Sequence, residues 1–335
     1  MRRYTGCLIV FAGFVLICLL GVGWLMNVYN HRIGSGNTTS DPLTARKGFT
    51  THLRHVTMDT ENSAHTGNFP TPPPPDIFQL IRYPSPAGQL AAYLSPDPRD
   101  GKKHPAIVWA HGGFGGIDDW LWKPHDQQDP GAFREAGIIV MCPSWRGEND
   151  NPGQYEMFYG EIEDACAAID YLATLPYVDP DRIYLGGHST GGTVAMLTAE
   201  STTKLRAAFA FGGAPNMQHV VSDGKGYDNT PYDYTNREES RLRSPIEFTR
   251  ALHHPLWYFE GEDSAYCRDA RLMQTLAEQY KIPFYAHIVP GGTHFSILQP
   301  LNHMLALKIL ADTGSTCSIS ITDAEVEEAC RQSGR

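Results

Sequence analysis

The feature that most constrains the fold is the glycine-rich segment 186–192, which holds the single G-x-S-x-G pattern of the chain, centred on Ser189. A short strand-like run, 182–185, precedes it, and a helix-like run, 193–199, follows it. A strand, a tight turn and a helix in this order lift a serine out of a sheet, and glycines let the backbones approach closely. The segment predicts a nucleophilic Ser189. A plain Gly/Ser-rich turn is the alternative, which the flanking elements disfavour.

Strand and helix patterns alternate along the chain after residue 76. A hairpin is predicted at 78–83 and 89–94, and a polar, irregular insertion or lid at 216–250. Further strands are predicted at 106–110, 137–141, 183–185, 205–211, 255–259 and 283–289, and helices at 161–175, 193–199, 270–280 and 301–310. Because alternating strands and helices form sheets covered on both faces, we predict an α/β fold with a mostly parallel sheet flanked by helices.

An uncharged run of twenty residues, Cys7 to Met26, follows two arginines at the N-terminus. This length suits one transmembrane helix, and the preceding positive charge predicts a cytoplasmic N-terminus and an extracytoplasmic catalytic domain. A cleavable signal peptide is the alternative, but its apolar core spans about 7–15 residues and ends near small residues. Trp24 and Tyr29 suit the membrane interface instead. We therefore expect residues 1–29 to be a single-pass signal anchor, with residues 7–26 in the lipid bilayer.

The rest of the chain divides into three predicted parts. Residues 30–75 are polar and end in a proline run, which favours an extended tether. Residues 76–312 carry the α/β pattern, and residues 313–335 form a C-terminal tail. Because an extracytoplasmic domain permits disulfides, Cys317 and Cys330 in this tail are the predicted pair.

Composition and spacing narrow the classes of function. The net charge is −10 and no basic stripe is present, which argues against a general nucleic-acid partner. The cysteines lack metal-site spacing with histidine, so no metal is expected. No G-K-[ST] or dinucleotide spacing accompanies the glycine-rich loop near residue 112, which disfavours a phosphate-binding role. Serine chemistry needs no cofactor, and none is predicted.

A serine nucleophile needs a general base, and His294 is the best candidate. It lies in a glycine-rich loop, just past the last predicted strand, where the side chain can reach the serine. The competing histidines are less suitable, since His287 falls within a strand and His303 within the closing helix; His253 and His254 also compete.

The base in turn needs an acid that orients its imidazole. The strand at 255–259 runs into the acidic loop 260–264. Asp263 is the best candidate in this loop, and Glu262 and Glu260 are the alternatives. Acidic residues also serve solubility, so each of the three can be a plain surface charge.

The oxyanion hole is expected from two backbone N–H groups. One belongs to Thr190, the residue after the nucleophile. The other belongs to Gly113 or Phe114, in the H-G-G loop that follows the strand at 106–110. Glycines in this loop allow the N–H groups to turn inward.

The loop at His111–Gly113, the serine turn at 187–191 and the late His294 resemble the three diagnostic positions of the α/β-hydrolase superfamily. Within it, segments 143–148 and 177–184 resemble the catalytic domain of the prolyl oligopeptidase and dienelactone-hydrolase-like group. The resemblance covers about residues 76 to 312 and implies an α/β-hydrolase fold. Two departures stand out: the chain has no room for the large propeller, and the family's acid position falls on Ser264, one residue past Asp263.

These observations predict a serine hydrolase that cleaves acyl esters through an acyl-enzyme intermediate, with a small-molecule ester or short peptide as substrate. A serine peptidase of prolyl oligopeptidase type is the first alternative. A non-catalytic binding protein on the same fold is the second, because fold alone does not fix function.

Overall fold

The computed structural model describes residues 39–53, 69–123, 128–222 and 230–332. Within these ranges one sheet has eight strands in the order β1-β2-β4-β3-β5-β6-β7-β8. The strands are β1 (Gln79–Ser85), β2 (Gly88–Leu94), β3 (His104–Ala110), β4 (Ile139–Pro143), β5 (Val178–His188), β6 (Ala207–Phe211), β7 (Leu256–Gly261) and β8 (Phe284–Val289). Strand β2 pairs antiparallel with β1 and β4, and the remaining neighbours are parallel. The predicted hairpin and mostly parallel sheet are confirmed.

Helices cover the sheet. In chain order they are α1 (Pro42–Ala45), α2 (Gly131–Glu135), α3 (Glu161–Thr174), α4 (Thr190–Ala199), α5 (Met217–Ser222), α6 (Arg237–Arg241), α7 (Cys267–Tyr280), α8 (Leu298–Ala311) and α9 (Asp323–Gln332). Every residue of α4 is buried. This explains its composition, because a helix that is apolar on all sides lies inside a core. The helix that begins after Ser189 is thus fixed on all sides.

Strand β7 is longer than the sequence predicts. It continues past Phe259, where the prediction ends it, because Glu260 pairs with Ile288 and Gly261 with Val289 of β8. The polar side chain of Glu260 breaks the apolar pattern of the strand, so the sequence predicts an end at Phe259, two residues before the observed end at Gly261. Glu260 therefore belongs to the sheet and not to the loop that follows.

The C-terminal tail is also more ordered than predicted. It contains α9, which packs against α8 and β8, with Val326 2% exposed. The tail begins at a buried ion pair between Arg206 and Asp312, in which Arg206 Nη2 lies 2.7 Å from Asp312 Oδ1. The predicted disulfide is wrong in this structure: Cys317 and Cys330 are not joined to each other, and each is partly buried against the core.

Part of the predicted tether is docked on the domain. Arg46 is buried and donates to the carbonyl oxygens of Phe158 and Leu242, each at 2.9 Å. The Thr51 hydroxyl donates to Glu239 at 2.8 Å. The sequence pattern did not show this, because the acceptors of Arg46 lie more than a hundred residues away. Residues 39–53 are therefore a packed segment, not an extended linker.

The predicted anchor, residues 1–29, lies outside the described residues. Within the part of the chain that is described, no helix combines the length and the apolar character needed to cross a bilayer.

Glu200, at the end of α4, is a buried carboxyl whose two oxygens have no hydrogen-bond partner among the described residues. Burial raises its pKa well above the ordinary value. The folded chain therefore keeps a proton that the unfolded chain releases above about pH 4.3, so stability falls as the pH rises from that value toward the folded pKa.

Substituting Glu200→Gln keeps the shape and removes this ionisation. We expect the Tm at pH 8 to rise by about 2–4 °C for each kcal/mol by which the variant is stabilised, and the Tm at pH 5 to rise by less. The exposed Glu278→Gln variant is the control and should show no such pH dependence. Thermal melts at both pH values measure the effect, and an equal shift for Glu200→Gln at pH 5 and pH 8 would contradict the explanation.

Candidate active site

Ser189 lies at the turn between β5 and α4. Its φ of 56° and ψ of −117° place it in a conformation that non-glycine residues rarely adopt. A Cβ on Gly187 would overlap the carbonyl of Gly191, so the turn requires glycine there. The Ser189 N–H donates to the carbonyl of Phe211 on β6 at 2.7 Å. The predicted strained turn at Ser189 is therefore present, and a backbone hydrogen bond anchors it to β6.

His294 lies in the loop after β8 and faces Glu260. The distance from His294 Nδ1 to Glu260 Oε2 is 3.2 Å, with the His294 side chain 25% exposed and that of Glu260 fully buried. The other oxygen of Glu260 accepts the N–H of Gly261 at 2.8 Å. A buried carboxylate is therefore held against the imidazole from one side, as an orienting acid must be.

The ring of His294 also borders the serine turn. A Cβ on Gly212 would overlap the His294 ring, so glycine is required beside the imidazole. Gly212 directly follows Phe211, whose carbonyl accepts the Ser189 N–H. Ser189 and the His294 ring thus border two successive residues, Phe211 and Gly212, at the end of β6.

The structure does not support Asp263 as the orienting acid. Asp263 is exposed, and no hydrogen bond joins it to His294. The alternative Glu262 reaches only the backbone N–H of Gly291, at 3.3 Å. The physical reason is the longer β7, which places Glu260 at the end of the sheet and turns the next residues toward solvent. Of the three acidic residues considered, Glu260 is the one that contacts the imidazole.

The predicted oxyanion loop lies next to the serine turn. The hydroxyl of Thr190 donates to the carbonyl of Gly113 at 2.8 Å, which ties this loop to the first residue of α4. N–H groups in the first turn of a helix have no partner within the helix. The structure therefore brings Gly113 and Phe114 beside Thr190, while the donor role of each N–H stays a prediction.

His111 supports this loop through a contact with Glu148 that the sequence did not predict. His111 is buried, its Nε2 lies 3.1 Å from Glu148 Oε2, and its ring stacks on Trp145 at 5.9 Å. Burial alone would lower the pKa of His111, but the carboxylate of Glu148 raises it above the ordinary value. The signal was present in the segment 143–148, which ends at Glu148. This contact fixes the start of the Gly112–Gly113 backbone.

The predicted insertion carries Arg237, Arg241 and Arg243, and arginine is a residue type that can bind a substrate carboxylate. Arg237 is exposed. Arg243 is fully buried, and its Nη1 lies 2.6 Å from Glu239. Arg241 makes two hydrogen bonds of 2.7 Å to Glu238. Both charges are therefore neutralised within the insertion.

Across the described ranges, no cluster of three or more His, Cys, Asp or Glu residues is arranged to hold a metal ion.

Comparison with known families decides the assignment. A family model described as the prolyl oligopeptidase family matches residues 124–310, more than half of the chain. The chain belongs to the prolyl oligopeptidase family. It is accordingly an enzyme, a serine hydrolase on the α/β-hydrolase fold.

Similar family members and folds include both peptidases and esterases. The chain is 27% identical over 211 residues to the uncharacterized peptidase YtmA of Bacillus subtilis, covering 56% of this chain and 78% of that protein. It is 27% identical over 233 residues to dipeptidyl-peptidase 5 of Porphyromonas gingivalis, covering 63% of this chain but 33% of that protein. The chain thus spans only about a third of the second relative.

Two solved structures share the fold. The acylaminoacyl peptidase of Pyrococcus horikoshii has a TM-score of 0.61 at 16% identity, covering 75% of this chain and 44% of that one. The esterase of Pyrobaculum calidifontis has a TM-score of 0.55 at 20% identity, covering 70% and 85% respectively. At these identities the likeness establishes the fold alone.

Proposed function

We propose that this member of the prolyl oligopeptidase family cleaves acyl esters, with Ser189 as nucleophile, His294 as base and Glu260 as orienting acid. The observation that supports the triad most directly is the 3.2 Å contact of His294 with the buried Glu260, beside the strained Ser189. Serine, acid and histidine follow in the chain order typical of this fold.

Each residue has a defined role in the proposed reaction. Ser189 Oγ attacks the acyl carbon as His294 Nε2 takes its proton, and the same imidazole later protonates the leaving alkoxide. Glu260 accepts a hydrogen bond from Nδ1–H, which fixes the tautomer with Nε2 toward the serine. The N–H of Thr190 and that of Gly113 or Phe114 stabilise the oxyanion. A water molecule, activated by His294, then releases the acid and restores the serine.

Two arguments favour esters over peptides. An alkoxide leaves the tetrahedral intermediate more readily than an amide anion, so ester cleavage depends less on protonation of the leaving group and a minimal triad cleaves esters more readily. Peptide cleavage also benefits from a charged group that holds a chain terminus, and Arg241 and Arg243 are already paired within the insertion. Neither is available to bind a substrate carboxylate, whereas Arg237 of the insertion is exposed.

The test compares esters and amides of the same acyl group on one preparation of the full chain. We expect short-chain acyl esters to have a kcat/KM at least about tenfold above that of aminoacyl anilides or dipeptides, after correction for uncatalysed hydrolysis. The Ser189→Ala variant is the control that assigns both activities to one site. A higher kcat/KM for the peptide substrates would contradict the ester proposal.

The second candidate function is a serine peptidase. It is favoured by the family match and by relatives that carry peptidase names. The same triad serves both reactions, so the substrate comparison separates them.

We further propose that residues 7–26 anchor the enzyme in a membrane, with the catalytic domain outside the cytoplasm. The support is the uncharged run after two arginines. We expect the full chain to sediment with membranes and to keep its N-terminus, as shown by fractionation and N-terminal sequencing. Soluble protein that begins downstream of Met26 would contradict the anchor.

A further inference from the structure

His188, the residue before the nucleophile, is buried and contacts the loop that carries His294. Its Nε2 lies 3.1 Å from the backbone carbonyl oxygen of His294. The two imidazole rings are 4.6 Å apart between centroids, tilted by 44°. The last residue of β5 thus contacts the His294 loop through a polar atom and through a ring face.

The charge of His188 decides how many of its ring nitrogens carry a proton and can donate a hydrogen bond. Burial, and in second place the nearby His294, lower the pKa of His188 to about 3, so the ring is neutral at ordinary pH. A neutral imidazole has a single N–H. Oxygens face both ring nitrogens, with Gln128 Oε1 3.2 Å from Nδ1. An amide can turn its NH2 group to Nδ1, whereas the His294 carbonyl can only accept, so the tautomer with Nε2–H satisfies both neighbours.

The side chain of His294 is held to the sheet by Glu260 of β7, and the backbone of the loop is held by His188 of β5. Thr293, Phe295 and Ser296 are exposed, and the hydrogen bonds that the Thr293 and Ser296 hydroxyls accept come from other residues of the loop. The bond from His188, by contrast, spans 106 residues of sequence. It couples the position of the base to the strand that carries the nucleophile.

We propose that His188 is a positioning residue for the catalytic base: its Nε2–H holds the backbone carbonyl of His294, so that the imidazole stays aligned between Glu260 and Ser189. This inference rests on the proposed function of His294. Its consequence is kinetic, because a catalytic group displaced by about 1 Å can lower a rate about 10²-fold.

Three substitutions of His188 separate the polar contact from packing. In His188→Gln, the amide nitrogen reaches about as far as Nε2 and can still donate to His294. In His188→Asn, the shorter amide reaches only the position of Nδ1. His188→Phe keeps a ring and has no donor. The Asn and Phe variants should lose about 10- to 100-fold in kcat with KM little changed, and Gln should stay within about fivefold of the natural enzyme.

The test is steady-state kinetics of the full chain on an acyl ester. Circular dichroism gives the folded fraction of each variant, and rates are expressed per folded molecule. A purely structural role would lower the Tm and the folded fraction, leave kcat per folded molecule unchanged, and treat Gln and Asn alike. Equal losses for Gln and Asn, or full kcat in the Phe variant, would overturn the inference. His294→Ala is run beside them, and high activity in that variant would overturn the proposed function itself.

Discussion

Replacing Ser189 by alanine is expected to abolish hydrolysis, with kcat lowered about 10⁴-fold or more. The change removes the single atom that forms the bond to the acyl carbon. It is small, and the turn is held by backbone contacts such as the bond from Ser189 N–H to the Phe211 carbonyl, which alanine preserves. The fold should therefore persist, as checked by circular dichroism and thermal melting.

The matched control is Ser201→Ala, which removes a hydroxyl just beyond the end of α4 that donates to the Leu197 carbonyl. It should leave kcat within about twofold, since Ser201 lies beyond the opposite end of α4 from Ser189. Ester and peptide rates are measured on both variants. Turnover of Ser189→Ala within tenfold of the natural enzyme would remove Ser189 as the nucleophile.

Substituting Glu260→Gln is expected to lower kcat by about 10² to 10⁴. The amide keeps the shape of the carboxyl but has no charge. It can also present an N–H to His294 Nδ1, which would favour the wrong tautomer of the imidazole. The Asp263→Asn variant is the matched control, and its kcat should stay within about twofold because Asp263 is exposed and does not contact His294.

The two variants also decide between Asp263, the acid that the sequence favours, and Glu260, the acid that the structure favours. A silent Glu260→Gln beside an impaired Asp263→Asn would restore the acid that the sequence alone favoured. Activity is measured over a range of pH, so that a shifted pH optimum is not mistaken for a loss of kcat.

The serine turn and the position of His294 could be predicted because their signals are local. The pattern around Ser189 consists of adjacent residues whose glycines are needed by the turn itself, and His294 follows the last strand directly. The succession of strands and helices along the chain, and the hairpin, followed from the same kind of local periodicity.

The position of Glu260 and the contacts of His188 and Arg46 could not be predicted, because each depends on residues that are distant in sequence. Glu260 was an alternative only, since the end of β7 is set by its register with Ile288 and Val289 of β8. The contact of His188 with His294 likewise joins residues far apart in sequence. Arg46 is a third example: it donates hydrogen bonds to the carbonyl oxygens of Phe158 and Leu242, although the composition of its own segment resembles that of a linker.

The most direct test of the account is labelling of the full chain with a fluorophosphonate, followed by mass spectrometry of the modified peptide. An activated serine is phosphonylated at Oγ with loss of fluoride, whereas an ordinary serine is not. We predict one modification, on Ser189, which is absent in Ser189→Ala and strongly slowed in His294→Ala. A folded chain that stays unlabelled, or that is labelled at another residue, would contradict the assignment of Ser189 as the nucleophile of a serine hydrolase.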